Sequence, residues 1–169
     1  GEKRAMDNYV EHLVKRRDPG YFAILKVFLI ALDLLFFLLF FRFPPVFLLL
    51  LLSAAATYFV FLHAHVEYEY LYIGGSLTVD KILNKSSRKK ILETGAPELL
   101  LIAPKHSDAA REALPSGERA VDLSGDGEEE RKYLYLYQKE GKKRAVYLDM
   151  TEELLREMRM HSPSKLRRE

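Results

Sequence analysis

Residues 21–41 read YFAILKVFLIALDLLFFLLFF and residues 46–62 read VFLLLLLSAAATYFVFL, and only the segment RFPP separates these two apolar runs. At about 1.5 Å of rise per residue, a helix of about 20 apolar residues covers the roughly 30 Å hydrocarbon core of a bilayer, and the second run is at the short end of that range. The first run lacks a small-residue cleavage site and is followed at once by the second, unlike a removable signal peptide. The pattern predicts a transmembrane helical hairpin over residues 21–63, with a tight turn at the two prolines.

Basic residues on the flanks of the two runs predict the orientation of the hairpin. Lys15, Arg16 and Arg17 precede the first run, whereas the connection between the runs carries one basic residue, Arg42. Because cytoplasmic flanks of membrane helices are enriched in lysine and arginine, we expect a two-pass protein of the plasma membrane with both termini in the cytoplasm. The connection is too short to hold a folded external element.

Two charged residues interrupt the first run. Lys26 is close enough to the predicted cytoplasmic interface for its ammonium group to reach the lipid headgroups, which predicts an anchoring role. Asp33 lies near the middle of the run, where insertion of a carboxylate costs about 2.5–3.5 kcal/mol. The surrounding apolar residues contribute roughly −0.3 to −0.6 kcal/mol each, so the helix is still expected to insert.

The second run carries its small and polar residues at the depth of Asp33. Counting outward from the turn places Asp33 level with Ser53, Ala54 and Ala55. These residues begin the segment Ser53–Thr57, SAAAT, whose small side chains permit close helix approach. The Ser53 and Thr57 hydroxyls can hydrogen-bond the carboxyl group, within one hairpin or between subunits. A proton or ion relay through Asp33 is the functional alternative, and it needs several copies to enclose a polar path.

Residues 1–20 are expected to lie outside the spans. Residues 1–5 precede a plausible start at Met6 and resemble a tag remnant. The segment Asn8–Arg17 is predicted to form a short amphipathic helix in the headgroup layer, capped by Asp7 or Asn8. Docking of this helix to a partner is the alternative.

The periodicity changes from helical to strand-like after the second run. From residue 66 the chain alternates, with Tyr68, Tyr70 and Tyr72 on one side, and Gly74-Gly75 supplies a tight turn into a second strand. Further strands are predicted where short apolar segments lie between turn formers. The seven predicted strands are 66–73, 76–83, 88–93, 98–103, 118–123, 132–138 and 144–149, and a short helix is predicted at 106–114.

The last predicted element is an amphipathic helix that begins after Thr151 and ends near His161. Thr151 is the expected N-cap, and Leu154, Leu155 and Met158 form one apolar stripe. A basic tail follows at 162–169.

This order of elements resembles the bacterial membrane proteins that carry a pleckstrin-homology-like (PH-like) domain directly after two helices. The resemblance rests on the layout of residues 21–161 and on the hairpin segment 67–79, EYEYLYIGGSLTV. It implies an α+β membrane protein in which an antiparallel β-barrel or sandwich, residues 64–161, is capped by the C-terminal helix on the cytoplasmic side. That family offers no catalytic residues to carry over.

A basic loop is the candidate ligand site of the strand-rich part. Lys81, Lys85, Arg88, Lys89 and Lys90 lie in a segment that contains no acidic residue. Near a membrane each cation contributes about 1 kcal/mol against anionic lipids. The resemblance places this loop where PH-like domains that bind inositol phosphates carry theirs. The alternative is a solvated turn whose charges deter edge-to-edge pairing of strands.

Three residues at the junction between the second run and the first predicted strand are candidate metal ligands. His63, His65 and Glu67 alternate at a spacing that gathers metal ligands on one face of a strand, but the segment crosses from helix to strand, and histidines there also serve as interfacial anchors. The sequence contains no cysteine, no phosphate-binding loop and no motif of a catalytic centre. We therefore expect no cofactor and no enzymatic activity.

The charge balance and the aromatic pattern of the strand-rich part indicate which kinds of molecule it can bind. From Val66 to Glu169 the chain carries 19 basic and 19 acidic residues, which argues against nucleic-acid binding. One predicted strand alternates leucines with the tyrosines Tyr133, Tyr135 and Tyr137. We expect these tyrosines either to form part of the barrel wall or to lie at an edge that binds a peptide.

The sequence thus predicts a membrane-anchored interaction or scaffold module that self-associates through its helices, contacts membrane lipids and serves an unidentified protein partner. Two alternatives stay open. One is an oligomeric pore or transport accessory that uses Asp33, and the other is an anionic-lipid sensor that uses the basic loop.

Overall fold

The computed structural model describes residues 9–18, 20–114 and 118–168. The expected tag remnant and the caps proposed at Asp7 and Asn8 lie outside these ranges. The helices are α1 (Tyr21–Phe40), α2 (Phe47–Ala64), α3 (Asp108–Ala113) and α4 (Glu152–His161). The strands are β1 (Tyr9–Lys15), β2 (Val66–Ile73), β3 (Ser76–Leu83), β4 (Ser87–Thr94), β5 (Leu99–Pro104), β6 (Val121–Asp122), β7 (Lys132–Lys139) and β8 (Lys142–Asp149).

These elements make an α+β protein with two sheets, a C-terminal helix and two apolar helices. The chain divides into two compact units. One comprises residues 17–66 and 83–87, and the other comprises the remaining described residues.

The helices α1 and α2 form the predicted hairpin. The Leu39 carbonyl accepts the N–H groups of Arg42 and Phe43 at 3.0 and 2.8 Å, which ends α1. A 3-10 turn at Pro44–Val46 then starts α2, because proline is tolerated in the first turn of a helix, where its missing N–H is not needed. Both helices are long and apolar enough to cross a membrane by length and composition.

The first sheet has the strand order β1-β2-β3-β4. Along β2 the predicted alternation is confirmed, since Tyr68, Tyr70 and Tyr72 are buried and the residues between them are not. The two glycines of the β2–β3 turn have φ of +56° and +90°, a left-handed backbone that glycine adopts without steric cost. Leu77 and Val79 of β3 complete the buried face of this hairpin.

The predicted interfacial helix at Asn8–Arg17 is wrong, because residues 9–15 form strand β1. This strand pairs antiparallel with β2 over its whole length, from Tyr9 opposite Ile73 to Lys15 opposite Glu67. Val10 and Val14 are buried, whereas Leu13, next to Val14, is exposed, as the alternation of a strand requires. A short segment with two valines fits the period of a helix as well as that of a strand. It forms a strand because it can pair with the free edge of β2.

The second sheet has the strand order β5-β7-β8-β6. The pairs β5–β7 and β7–β8 are antiparallel as predicted, but β6 pairs parallel with β8, and it has two residues where six were expected. The prediction of seven strands, all antiparallel, is therefore wrong. The described residues form eight strands, and β6 is parallel to its partner β8. Strand β7 lies between β5 and β8, so the tyrosines Tyr133, Tyr135 and Tyr137 are not at a peptide-binding edge.

The C-terminal helix α4 is confirmed together with its cap. The Thr151 hydroxyl accepts the N–H of Leu154 at 3.2 Å, and Leu154 and Met158 are fully buried. The segment after α4 is not a free tail in the described residues. Instead, Leu166 forms a parallel bridge with Ile102 of β5, and the Arg167 N–H donates to the Ile102 carbonyl at 2.8 Å.

Candidate functional site

A polar contact lies between the two apolar helices. The Ser53 hydroxyl donates to Oδ1 of Asp33, and the Thr57 hydroxyl lies 2.6 Å from Oδ2 of the same carboxyl group. Thr57 Oγ1 also lies 2.9 Å from the Ser53 carbonyl oxygen, one turn back along α2. The structure therefore brings together Asp33, Ser53 and Thr57, the three residues for which the sequence predicts hydrogen bonds between the helices. Ser53 is buried and Asp33 is half-buried.

This contact suits a structural role. Both carboxyl oxygens have hydroxyl partners, so the most polar group of α1 is satisfied from within one hairpin. The three alanines between Ser53 and Thr57 point outward and are exposed. They leave a small-residue surface on the outside of α2.

We expect the Asp33–Ser53 contact to couple the two helices by about 0.6–1.7 kcal/mol, the range found for hydrogen bonds within membranes. The measurement is a double-mutant cycle of Asp33→Leu and Ser53→Ala on the unfolding of the full chain in bicelles. The matched control pairs Asp33→Leu with Ala54→Val, whose outward side chain should give a coupling near zero. Equal coupling in both cycles would contradict the contact.

Lys26 lies near the end of the hairpin where both helices meet the rest of the chain. Its ammonium nitrogen is 5.5 Å from the centre of the Phe61 ring on α2. A cation over an aromatic face gains roughly 0.5–1 kcal/mol at an exposed site. This pairing is compatible with the anchoring role predicted for Lys26.

The five cations of the basic loop are spread over the β3–β4 hairpin, with Lys81 in β3, Lys85 in the turn, and Arg88, Lys89 and Lys90 in β4. Two of the five are paired with carboxylates. The Arg88 guanidinium binds Glu69 at 2.9 Å and Asp80 at 3.3 Å, so that it ties β4 to β2 and β3. Lys90 binds Glu93 at 3.1 Å. The other three, Lys81, Lys85 and Lys89, have no ion pair within the described ranges. Lys81, Lys85 and Lys89, and neither Arg88 nor Lys90, are thus the available charges of this loop.

The tip of this turn is held against the end of α2. The Asn84 N–H donates to the carbonyl of His65, the residue that follows α2, at 2.8 Å. Asn84 and Lys85 have φ of +49° and +59°, and non-glycine residues adopt this backbone mainly in tight turns. Lys85 therefore projects from a fixed turn next to the C-terminal end of α2.

The residues proposed as weak metal candidates are not gathered. His63 lies in the last turn of α2, where its Nδ1 is 2.9 Å from the Phe59 carbonyl and its ring packs on the Phe59 ring. Glu67 is a residue of β2. No group of three or more histidine and acidic side chains in the described part of the chain could hold a metal ion.

A buried carboxylate that the sequence did not single out organises the core of the sheets. Asp149, at the end of β8, is about 1% exposed. Its Oδ2 lies 2.7 Å from Nε2 of His12 on β1, and the Arg131 guanidinium donates to both carboxylate oxygens at 3.0 and 3.1 Å. The backbone N–H of Asp149 donates to the Tyr70 hydroxyl, which in turn donates to the Leu123 carbonyl. Burial raises the pKa of the Tyr70 phenol, so the hydroxyl keeps its proton.

Two glycines let the loop before β7 approach this network. A β-carbon at Gly127 would lie 2.6 Å from Cγ of Asp149, and one at Gly125 would lie 2.2 Å from the Lys15 carbonyl oxygen. That same carbonyl accepts the Asp126 N–H at 2.8 Å. The loop thereby fixes the last residue of β1 to the second half of the chain.

Sequence reasoning missed this network for a definite reason. His12 and Asp149 are 137 residues apart, and the sequence pattern predicts a helix, not a strand, at His12. The available signal was the alternation of Val10, His12 and Val14, which shares one face only in a strand.

The first sheet, the second sheet and the buried apolar side of α4 together define a PH-like domain, with the two apolar helices placed between its first and second strands. The chain belongs to the family described as bacterial PH-like domain (DUF6106), whose profile matches residues 6–168. No match was found among curated proteins or among solved structures.

Proposed function

We propose that the protein is a two-span membrane anchor that presents its PH-like domain on one side of the membrane as a non-enzymatic interaction module. PH-like domains are in general binding modules without catalytic activity, and membership of that family supports this role. The apolar surfaces of α1 and α2 support the anchor.

One observation carries the two-pass topology. Strand β1 precedes α1 and strand β2 follows α2, yet the two strands pair along their whole length. Because paired strands lie on the same side of a membrane, the chain between them crosses an even number of times. The two apolar helices supply that pair of crossings.

The distribution of cations supports a cytoplasmic location for the sheets. Arg17 and Lys26 lie toward the start of α1, and Lys85 is held at the end of α2 by the Asn84–His65 bond. Cations concentrated at this end of the hairpin match the positive-inside rule and the negative surface of the inner leaflet. We propose that both termini are cytoplasmic and that the protein resides in the plasma membrane.

Self-association through the helices and a protein partner belong to the same proposal. The outward alanines of α2 offer a surface on which a second hairpin can pack closely. The oligomeric pore is less well supported than this structural role, because both oxygens of Asp33 are bound within one hairpin. Lipid sensing by the basic loop stays an alternative that now rests on Lys81, Lys85 and Lys89.

The natural absence of cysteine makes the topology directly testable. We expect a cysteine placed at Arg42 to react with a membrane-impermeant maleimide applied to intact spheroplasts, and a cysteine at Lys142, which is exposed in the second sheet, to react only after lysis. The protein should also stay in the membrane pellet after carbonate extraction. Labelling at Lys142 from outside would overturn the orientation, and release by carbonate would overturn the anchor.

A further inference from the structure

A cleft is lined by residues of β4 in the first sheet, by residues of β7 and β8 in the second sheet, and by the chain from Glu118 to Leu123. Its volume is about 320 Å³. It exists because β6 pairs with β8 only at Val146 and Tyr147. Continuing that register would bring residues 118–120 alongside 143–145, but residues 118–120 form no strand, and Glu118 and Arg119 line the cleft. On the side of β8 that β6 occupies, residues 143–145 therefore have no strand beside them among the described residues.

Part of the cleft lining is apolar. Three of the lining residues are buried aliphatic side chains: Leu92 of β4, Val146 of β8, and Leu123, which follows β6. Two apolar side chains at its rim, Ile91 and Val121, are 38% and 60% exposed. Exposed branched aliphatic residues beside a concave apolar floor are typical of a ligand site.

The same cleft carries an excess of positive charge. Arg119, Lys143 and Arg144 line it with one acid, Glu118. None of the three cations has a carboxylate partner within the described residues. Arg144 stands opposite Tyr137 in the β7–β8 pair, and Tyr137 also lines the cleft. Burial raises the pKa of the Tyr137 phenol, and the neighbouring Arg144 guanidinium opposes that rise. The guanidinium is thus held beside a neutral hydroxyl.

We propose that this cleft binds a small organic acid, in which a carboxylate or similar anionic group is attached to a compact apolar body of ring size. The anionic group pairs with Lys143 and Arg144, and the apolar body lies on Leu92 and Leu123. A volume of about 320 Å³ is at the lower end of small-molecule sites and too small for the acyl chains of a phospholipid. This binding site is independent of the membrane anchor and of the basic loop.

Methyl NMR of the full chain in nanodiscs tests the proposal, with 2-naphthoate as the probe. The nanodiscs contain only phosphatidylcholine, so that the acid is the only amphiphilic anion present. We expect saturable shifts of the Leu92 and Leu123 methyl groups, while those of Leu77, in the core of the first sheet, stay fixed. The uncharged analogue 2-naphthalenemethanol should bind at least about tenfold more weakly, because it lacks the charge-assisted contacts. Equal binding of the two compounds, or no saturation with naphthoate, would overturn the proposal.

Two neighbouring lysines supply the matched variants. Lys143 lines the cleft, whereas Lys142, the preceding residue of the same strand, is exposed outside it. We expect Lys143→Glu and Arg144→Gln each to weaken naphthoate binding about tenfold, and Lys142→Glu to change it less than about twofold. Equal weakening by the two charge reversals would show a long-range charge effect and refute a built site.

Discussion

A Gly125→Ala variant is expected to lose about 2–5 kcal/mol of folding stability, the combined cost of a left-handed alanine and of overpacking against backbone atoms. Gly125 has φ of +59°, and its β-carbon would lie 2.2 Å from the Lys15 carbonyl oxygen and 2.5 Å from Cγ1 of Val14. Backbone cannot move aside as a flexible side chain can. The bond from the Asp126 N–H to the Lys15 carbonyl should break, and the end of β1 should detach from the loop.

Gly74→Ala is the matched control for the backbone conformation. Its φ is +56°, close to that of Gly125, but nothing lies within 4 Å of a β-carbon there. This variant should lose only about 1–2 kcal/mol, the cost of the left-handed conformation itself. Urea titration of the full chain in detergent, followed by near-ultraviolet circular dichroism of the buried tyrosines, measures both. Equal losses in the two variants would show that Gly125 and Lys15 are not in close approach.

An Asp149→Ala variant is expected to lose about 1.5–3 kcal/mol, because the buried carboxylate accepts hydrogen bonds from the partly exposed Arg131 side chain and contacts His12, and hydrogen bonds to charged groups contribute about this much. The carboxylate is the common acceptor for His12 and Arg131, which come from opposite ends of the chain. Without it the Arg131 guanidinium loses both of its carboxylate bonds, and His12 loses its partner on β8. The same urea titration measures the loss.

Two further variants test whether the lost stability comes from the pairing of Asp149 with Arg131 or from a general disruption of β8. Asp108→Ala removes an exposed carboxylate that binds Arg111 within α3, and it should change stability by less than about 1 kcal/mol. Adding Arg131→Met to Asp149→Ala should restore part of the lost stability, because the unpaired guanidinium is then absent. A double variant that is less stable than Asp149→Ala would argue against the pairing as the cause.

Composition and periodicity made the helical hairpin and the β2–β3 hairpin predictable. Long runs of leucine and phenylalanine have few alternatives to a membrane-length helix, and three tyrosines at a spacing of two define one face of a strand. Depth counting from the prolines aligned Asp33 with Ser53 because the connection is too short to allow much slippage. These features depend on residues that are close in sequence.

The features that escaped prediction depend on distant partners. β1 is short, and its sequence fits the pattern of a helix as well as that of a strand. It forms a strand because it pairs with the free edge of β2. β6 forms through a parallel pairing of two residues with β8, and no local sequence pattern predicts that pairing. The Asp149 network needs both the β1 assignment and the close approach of Gly127, so its residues could not be grouped beforehand.

The placement of β1 ahead of the apolar helices also sets the order in which the molecule can be built. β1 is synthesised before both helices, and its partner β2 only after them, so the two strands cannot pair until the fifty residues between Lys15 and Val66 have been made. Closing so long a flexible loop is entropically unfavourable, and a helical hairpin that forms beforehand brings the two ends together. Expression of residues 66–168 alone would leave β2 without its neighbour, whereas a chain that joins residues 9–16 to residue 66 through a short linker keeps the complete four-stranded sheet.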